Sequence, residues 1–85
     1  MQIIYMPKAK EHLDFWTKTG NKTILKKILQ LTKDIIKNPY SGIGKPEQLK
    51  HGLTGYWSRR INQEHRFVYV VENETLYVYS LKGHY

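Results

Sequence analysis

Apolar residues recur in this chain with two different periods, and the change of period divides it in two. From Gln2 to Met6 a short apolar run, Ile3-Ile4-Tyr5, ends at Pro7 and predicts a strand. Proline suits the first position of a helix, where its missing N–H costs nothing. Ala9, Leu13 and Trp16 then follow at helical spacing to about Thr17. Thr19-Gly20-Asn21 breaks the pattern, with Gly20 suited to a C-cap and Asn21 to the next N-cap. Ile24, Ile28, Leu31 and Ile35, flanked by Leu25, Leu29 and Ile36, make the broad stripe of a second helix. Lys22, Lys26, Lys27, Lys33 and Lys37 fill much of its other side, and Asn38-Pro39 stops it.

Beyond Pro39 the period falls toward two. Tyr40 to Pro46 holds two glycines and a proline and reads as a loop. Gln48 to His51 predicts a short strand, with a turn over Gly52 to Gly55. Tyr56 to Asn62 alternates Trp57 and Ile61 with polar residues, and Arg66 to Val71 is a nearly continuous aromatic and β-branched run. Asn73-Glu74 marks a turn before a last strand, Thr75 to Leu81. Strands joined by short connections imply an antiparallel meander. The expected fold is α+β, order β-α-α-β-β-β-β, with a helical hairpin on one face of a mostly antiparallel twisted sheet. One domain, 1–85, fits the length, and no repeat or linker interrupts it.

Charge adds what the pattern cannot. Fourteen Lys and Arg against seven Asp and Glu give a net +7 and a pI near 9.7. That favours a polyanionic partner, nucleic acid or an acidic protein, over neutral ones. There is no cysteine, which excludes disulfides and thiolate chemistry. No signal-peptide pattern or membrane-length apolar run stands out, so the expectation is a cytoplasmic protein without a membrane partner.

Two motif readings fail on inspection. Gly42-Ile43-Gly44-Lys45 lacks the spacing of a phosphate loop, and Pro46 stands where Ser or Thr would bind magnesium. His12, His51, His65 and His84 are scattered, so no metal or other cofactor is expected, and His51 and His65 read as surface residues. What remains is a polar set on the later segments: Glu47, Lys50, Arg59, Arg60, Arg66, Lys82, His84 and Tyr85. Metal-free RNA cleavage needs a base to deprotonate the ribose 2′-hydroxyl, an acid to protonate the leaving 5′-oxygen, and fixed cations on the phosphate. Glu47 can supply the base, His84 the acid, and Arg66, Lys50 and Arg60 the cations. Tyr56, Trp57 and Tyr85 offer flat faces for unpaired bases. Each residue alone also fits a solvated loop, a strand edge or a frayed terminus.

The ordered blocks Gly44-Lys45-Pro46-Glu47-Gln48-Leu49-Lys50-His51, Leu53-Thr54-Gly55-Tyr56-Trp57-Ser58-Arg59-Arg60-Ile61, Glu64-His65-Arg66-Phe67-Val68-Tyr69 and a terminal His84-Tyr85 resemble the YoeB/Txe family of toxins, within the RelE/ParE superfamily of microbial-RNase-like folds. The resemblance implies a metal-independent endoribonuclease that enters the ribosomal A site and cuts messenger RNA during translation. It implies Glu47 as general base, His84 as general acid, Arg66 as the phosphate cation and Tyr85 as a residue shaping the site. Lys50, Arg59, Arg60 and Lys82 are then expected on the RNA-binding surface. It further implies an acidic antitoxin partner of the YefM (Phd-like) type and promoter DNA bound only together with it; a homodimer stays open. Met6-Pro7-Lys8-Ala9 and Lys82-Gly83 depart from the family's usual pattern. Two rival readings are a non-cutting binder such as a gyrase poison, which has no need of Glu47, Arg66 and His84 together, and a free-standing RNase, for which a small domain offers little groove.

Overall fold

The computed structural model describes residues 1–50, 52 and 55–84. In chain order these form β1 (Gln2–Tyr5), α1 (Pro7–Lys18), α2 (Lys22–Lys37), β2 (Glu47–Gln48), β3 (Trp57–Arg60), β4 (Arg66–Glu72) and β5 (Thr75–Ser80). The fold is α+β, as the two periods imply. The first strand expected after the loop is only two residues long; of its expected span, Leu49 and Lys50 lie outside any strand and His51 lies outside the described residues.

The two helices are joined by a compact cap. At the end of α1 the Gly20 N–H donates to Thr17 O and the Asn21 N–H to Trp16 O, each at 3.1 Å. This closure needs a residue in the left-handed region, and Gly20 takes it at φ +66°. Asn21 then turns from ending one helix to starting the next, its side chain accepting from the Ile24 N–H at 3.2 Å. The buried stripe of α2, Ile24, Ile28, Leu31 and Ile35, meets Ala9 and Trp16 of α1 over Phe67, Tyr69, Leu76 and Val78 of the sheet. Each such side chain contributes about 1.5–3 kcal/mol by leaving water.

The five strands lie in the order β1-β5-β4-β3-β2. β2 through β5 form the expected antiparallel meander, and β1 adds to β5 in parallel. That mixed edge follows from the connections. The two helices separate β1 from the meander in sequence, and β1 runs in the same direction as β5. Phe67, Tyr69, Leu76 and Val78 point to the helices. Strand alternation therefore sends Val68, Val70 and Tyr77 to the face turned away from the helices, the uncovered face below, where Val68 is nonetheless buried. Among the described residues, no helix is long and apolar enough to cross a membrane.

Candidate active site on the uncovered face

Register puts the polar residues on that uncovered face. Glu47 lies opposite Ser58, and Ser58 opposite Val68. Two positions further along β3, Arg60 lies opposite Arg66. Directly paired residues share a face, and so do residues two apart. Glu47, Arg60 and Arg66 therefore stand on one side of three adjacent strands. Glu47 and Arg60 are exposed and Arg66 is half-buried, so all three reach solvent, while Ser58 and Val68 on the same face are buried.

His84 is brought to this face from the far end of the chain. Nη2 of Arg66 lies 3.1 Å from Nε2 of His84. A guanidinium can only donate, so Nε2 accepts and carries no proton in this arrangement. The other arm of Arg66, Nη1, donates to the carbonyls of Asn62 at 2.9 Å and of Gln63 and His65 at 3.3 Å. Asn62 shapes that turn, its side chain accepting from the Glu64 and His65 N–H groups at 2.8 Å. Tyr56 stacks on Tyr79 with ring centroids 4.6 Å apart. Hydrogen bonding to Tyr56, reinforced by burial, pushes the Tyr79 phenol above its ordinary pKa, so it stays protonated at neutral pH.

Several expected site residues lie elsewhere. Arg59 does not belong to an RNA-binding surface: its side chain is wholly buried. It faces the helices, one position out of phase with Arg60. There it pairs with Asp34 of α2 at 2.5 Å, and donates to the carbonyls of Asn38, Ser41 and Ile43 and to the Tyr69 hydroxyl. Its charge is spent tying the 38–44 loop to the core. The glycines once tempting as a phosphate loop serve that knot. A side chain on Gly44, at φ +79°, would meet Leu31 at 2.8 Å. Trp57 is half-buried, packed on the core and on Tyr40, with ring centroids 4.9 Å apart. Lys82 is exposed, with its ammonium over the Phe15 ring of α1 at 4.3 Å. Lys50 is exposed beyond β2. Tyr85 lies outside the described residues.

Two histidines are part of the scaffold, one of them, His65, expected at the surface. Nδ1 of His12 accepts from the Leu81 N–H at 3.1 Å, and Nδ1 of His65 accepts from the Gly83 N–H at 2.9 Å. Burial, then the charges of Lys8 and Lys82, lower the His12 pKa below its ordinary 6.5. Helical spacing flagged Trp16 as core but gave no sign of the polar job of its indole, which donates to Leu81 O at 2.9 Å. Nothing local in sequence pairs positions 12 and 16 with position 81.

Comparison with known proteins gives the family and the fold. Residues 5–85 match the model of the family described as YoeB-like toxin of bacterial type II toxin-antitoxin system. The chain is 44% identical to Toxin YoeB of Escherichia coli K12 over the full length of both. It is 49% identical to Toxin YoeB of Synechocystis over 74 residues, 87% of this chain and 86% of that one. Among solved structures it superposes on a YoeB/ParE toxin from Agrobacterium tumefaciens at TM-score 0.95, with 38% identity and complete coverage of both chains. The toxin of a heterotetrameric YoeB–YefM complex from Staphylococcus aureus gives 0.90 at 45% identity, covering 100% of this chain and 98% of that one. YafQ from Escherichia coli, at 17% identity and TM-score 0.79, shares the fold. With the family match spanning nearly the whole chain, this protein belongs to the YoeB family of toxins of bacterial type II toxin–antitoxin systems.

Proposed function

We propose that this one-domain toxin is a ribosome-dependent, metal-independent endoribonuclease that cuts messenger RNA in the A site and so stops translation in the cytoplasm. The observation that carries this is the 3.1 Å contact between Arg66 and His84 on the face that also bears Glu47 and Arg60. Glu47 takes the proton of the 2′-hydroxyl, whose oxygen attacks the adjacent phosphorus. The bond to the 5′-oxygen breaks, and His84 protonates that oxygen, leaving a cyclic phosphate and a free 5′-hydroxyl. Arg66 turns to the phosphate and holds its added charge, which frees Nε2 of His84 to carry the proton it must give. Arg60, with Lys50 and Lys82 further out, attracts the RNA backbone. Tyr85 completes the site at the chain end.

The exposure of Glu47 and Arg60 supports a role for the ribosome. Groups this accessible to solvent gain most if another body positions the substrate, which can supply much of a rate enhancement. Structures of Staphylococcus aureus relatives described as a YoeB–YefM complex and a YoeB dimer support an acidic YefM-like antitoxin and self-association here. Promoter DNA would be met only as the toxin–antitoxin complex.

Primer extension on messenger RNA in a translation reaction tests the reading. His84→Ala and Glu47→Ala are each expected to lower cleavage by about 10²–10³ while thermal unfolding is unchanged. Wild-type cutting by both variants would refute the assignment.

A further inference from the structure

His84 reaches Arg66 only because the backbone just before it is gripped from two sides. On one side α1 supplies His12 Nδ1 to the Leu81 N–H and Trp16 Nε1–H to the Leu81 carbonyl. On the other, His65 Nδ1 accepts the Gly83 N–H, and the Arg66 N–H donates to the Gly83 carbonyl at 2.9 Å. The two halves lock together, because the Trp16 and His65 rings meet edge to face with centroids 4.8 Å apart. Ser80 Oγ, 3.4 Å from His12 Nδ1 and donating to Lys82 O at 3.1 Å, turns the chain into this grip.

We propose that His12, Trp16 and His65 are positioning residues of the site: they hold residues 81–83 so that the imidazole of His84 stands at the guanidinium of Arg66. The proposal rests on the function given above, since His84 must matter for its placement to matter. The chemistry is exacting. Each histidine accepts a backbone N–H at Nδ1, so each must be neutral with its proton on Nε2. An imidazolium has no acceptor, and its Nδ1–H would confront the amide it once received. The groups that face His12 are Lys8 and Glu11 on its own helix, Lys82 on the tail, and His65 beyond Trp16. Three of these disfavour the imidazolium and Glu11 favours it. A lowered pKa means the unfolded chain binds the proton more readily, so the grip is complete above about pH 6.5 and is lost as pH falls through the lowered value.

Two kinds of substitution, each made at His12 and at His65, separate this role from packing. His12→Phe and His65→Phe keep a ring and lose the acceptor, whereas His12→Asn and His65→Asn return an acceptor near the place of Nδ1. Amide hydrogen exchange by NMR is the primary readout. The Phe variants should lower protection at Leu81 and Gly83 respectively by tenfold or more, with protection in β4 and α2 unchanged, and the Asn variants should restore most of it. In the translation assay kcat should fall by tenfold or more in the Phe variants with KM little changed, and should recover in the Asn variants. In the wild type, the Leu81 amide resonance should shift as the pH is lowered through the depressed pKa of His12. Unchanged protection at both amides in the Phe variants, or a Leu81 amide indifferent to pH, would overturn the proposal. If a Phe variant does not fold, its Asn counterpart and the wild-type titration decide. Cleavage that survives His84→Ala would instead sink the proposed function and leave the exchange result standing.

Discussion

Arg59 donates to an acid, a phenol and three carbonyls, so losing its guanidinium leaves every one of these acceptors without that donor. Arg59→Ala is expected to cost about 3–5 kcal/mol in urea unfolding, the range for breaking one side of a buried ion pair. That is most of the stability of a domain this size. Arg59→Lys should recover little, because one ammonium cannot span acceptors set for a planar fork. The same knot predicts acid behaviour. The hydrogen bond from Arg59, then that from the Ile43 N–H, holds the Asp34 carboxyl below its ordinary 3.8. A depressed carboxylate stabilises at neutral pH, and the contribution disappears as pH falls from about 4 through the depressed value. Asp34→Asn should therefore flatten the acid limb of a stability-versus-pH curve. Arg59 and Arg60 differ only by strand parity. Parity was readable in the sequence, but which parity faced the helices depended on where β3 joined the sheet.

At the scale of elements, α2 was legible almost to its ends because its apolar stripe is long and Asn21 and Asn38-Pro39 bound it. The two-residue β2 was not, since a span so short has no period. The β4–β5 hairpin turns on two non-glycine residues with positive φ. Asn73 and Glu74 both sit in the left-handed region, at φ +49° and +58°. Asparagine tolerates that region and glutamate does not. Glu74→Gly is expected to stabilise by about 1 kcal/mol, raising Tm by about 4–8 °C. Backbone contacts survive the change, including the Gln2 N–H to Glu74 O bond that pins β1 beside the turn. A calorimetric scan showing no gain would mean the turn stores no strain.

For the whole molecule the decisive quantity is its net charge of +7. Attraction over distance speeds encounter with an acidic partner and is screened by salt. Association with an acidic YefM-like antitoxin should therefore slow by about tenfold or more between 0.05 and 0.3 M salt. Dissociation, governed by close contacts, should change much less. A salt-independent association rate in stopped-flow measurements would argue that charge plays no part in recognition.

By itself the sequence determined the elements, the fold class and the chemical inventory, because period, caps and residue type are local properties. The ordered blocks from Gly44 to Tyr69 and the terminal His84-Tyr85 also carried the family. Only the tertiary structure decided which polar residues meet. It turned Arg59 inward to Asp34, set Arg60 and Arg66 outward beside Glu47, and used His12, Trp16 and His65 to carry His84 to Arg66. Those partnerships join positions up to 69 residues apart. They depend on sheet order and on the packing of α1 against β5, which no local pattern encodes.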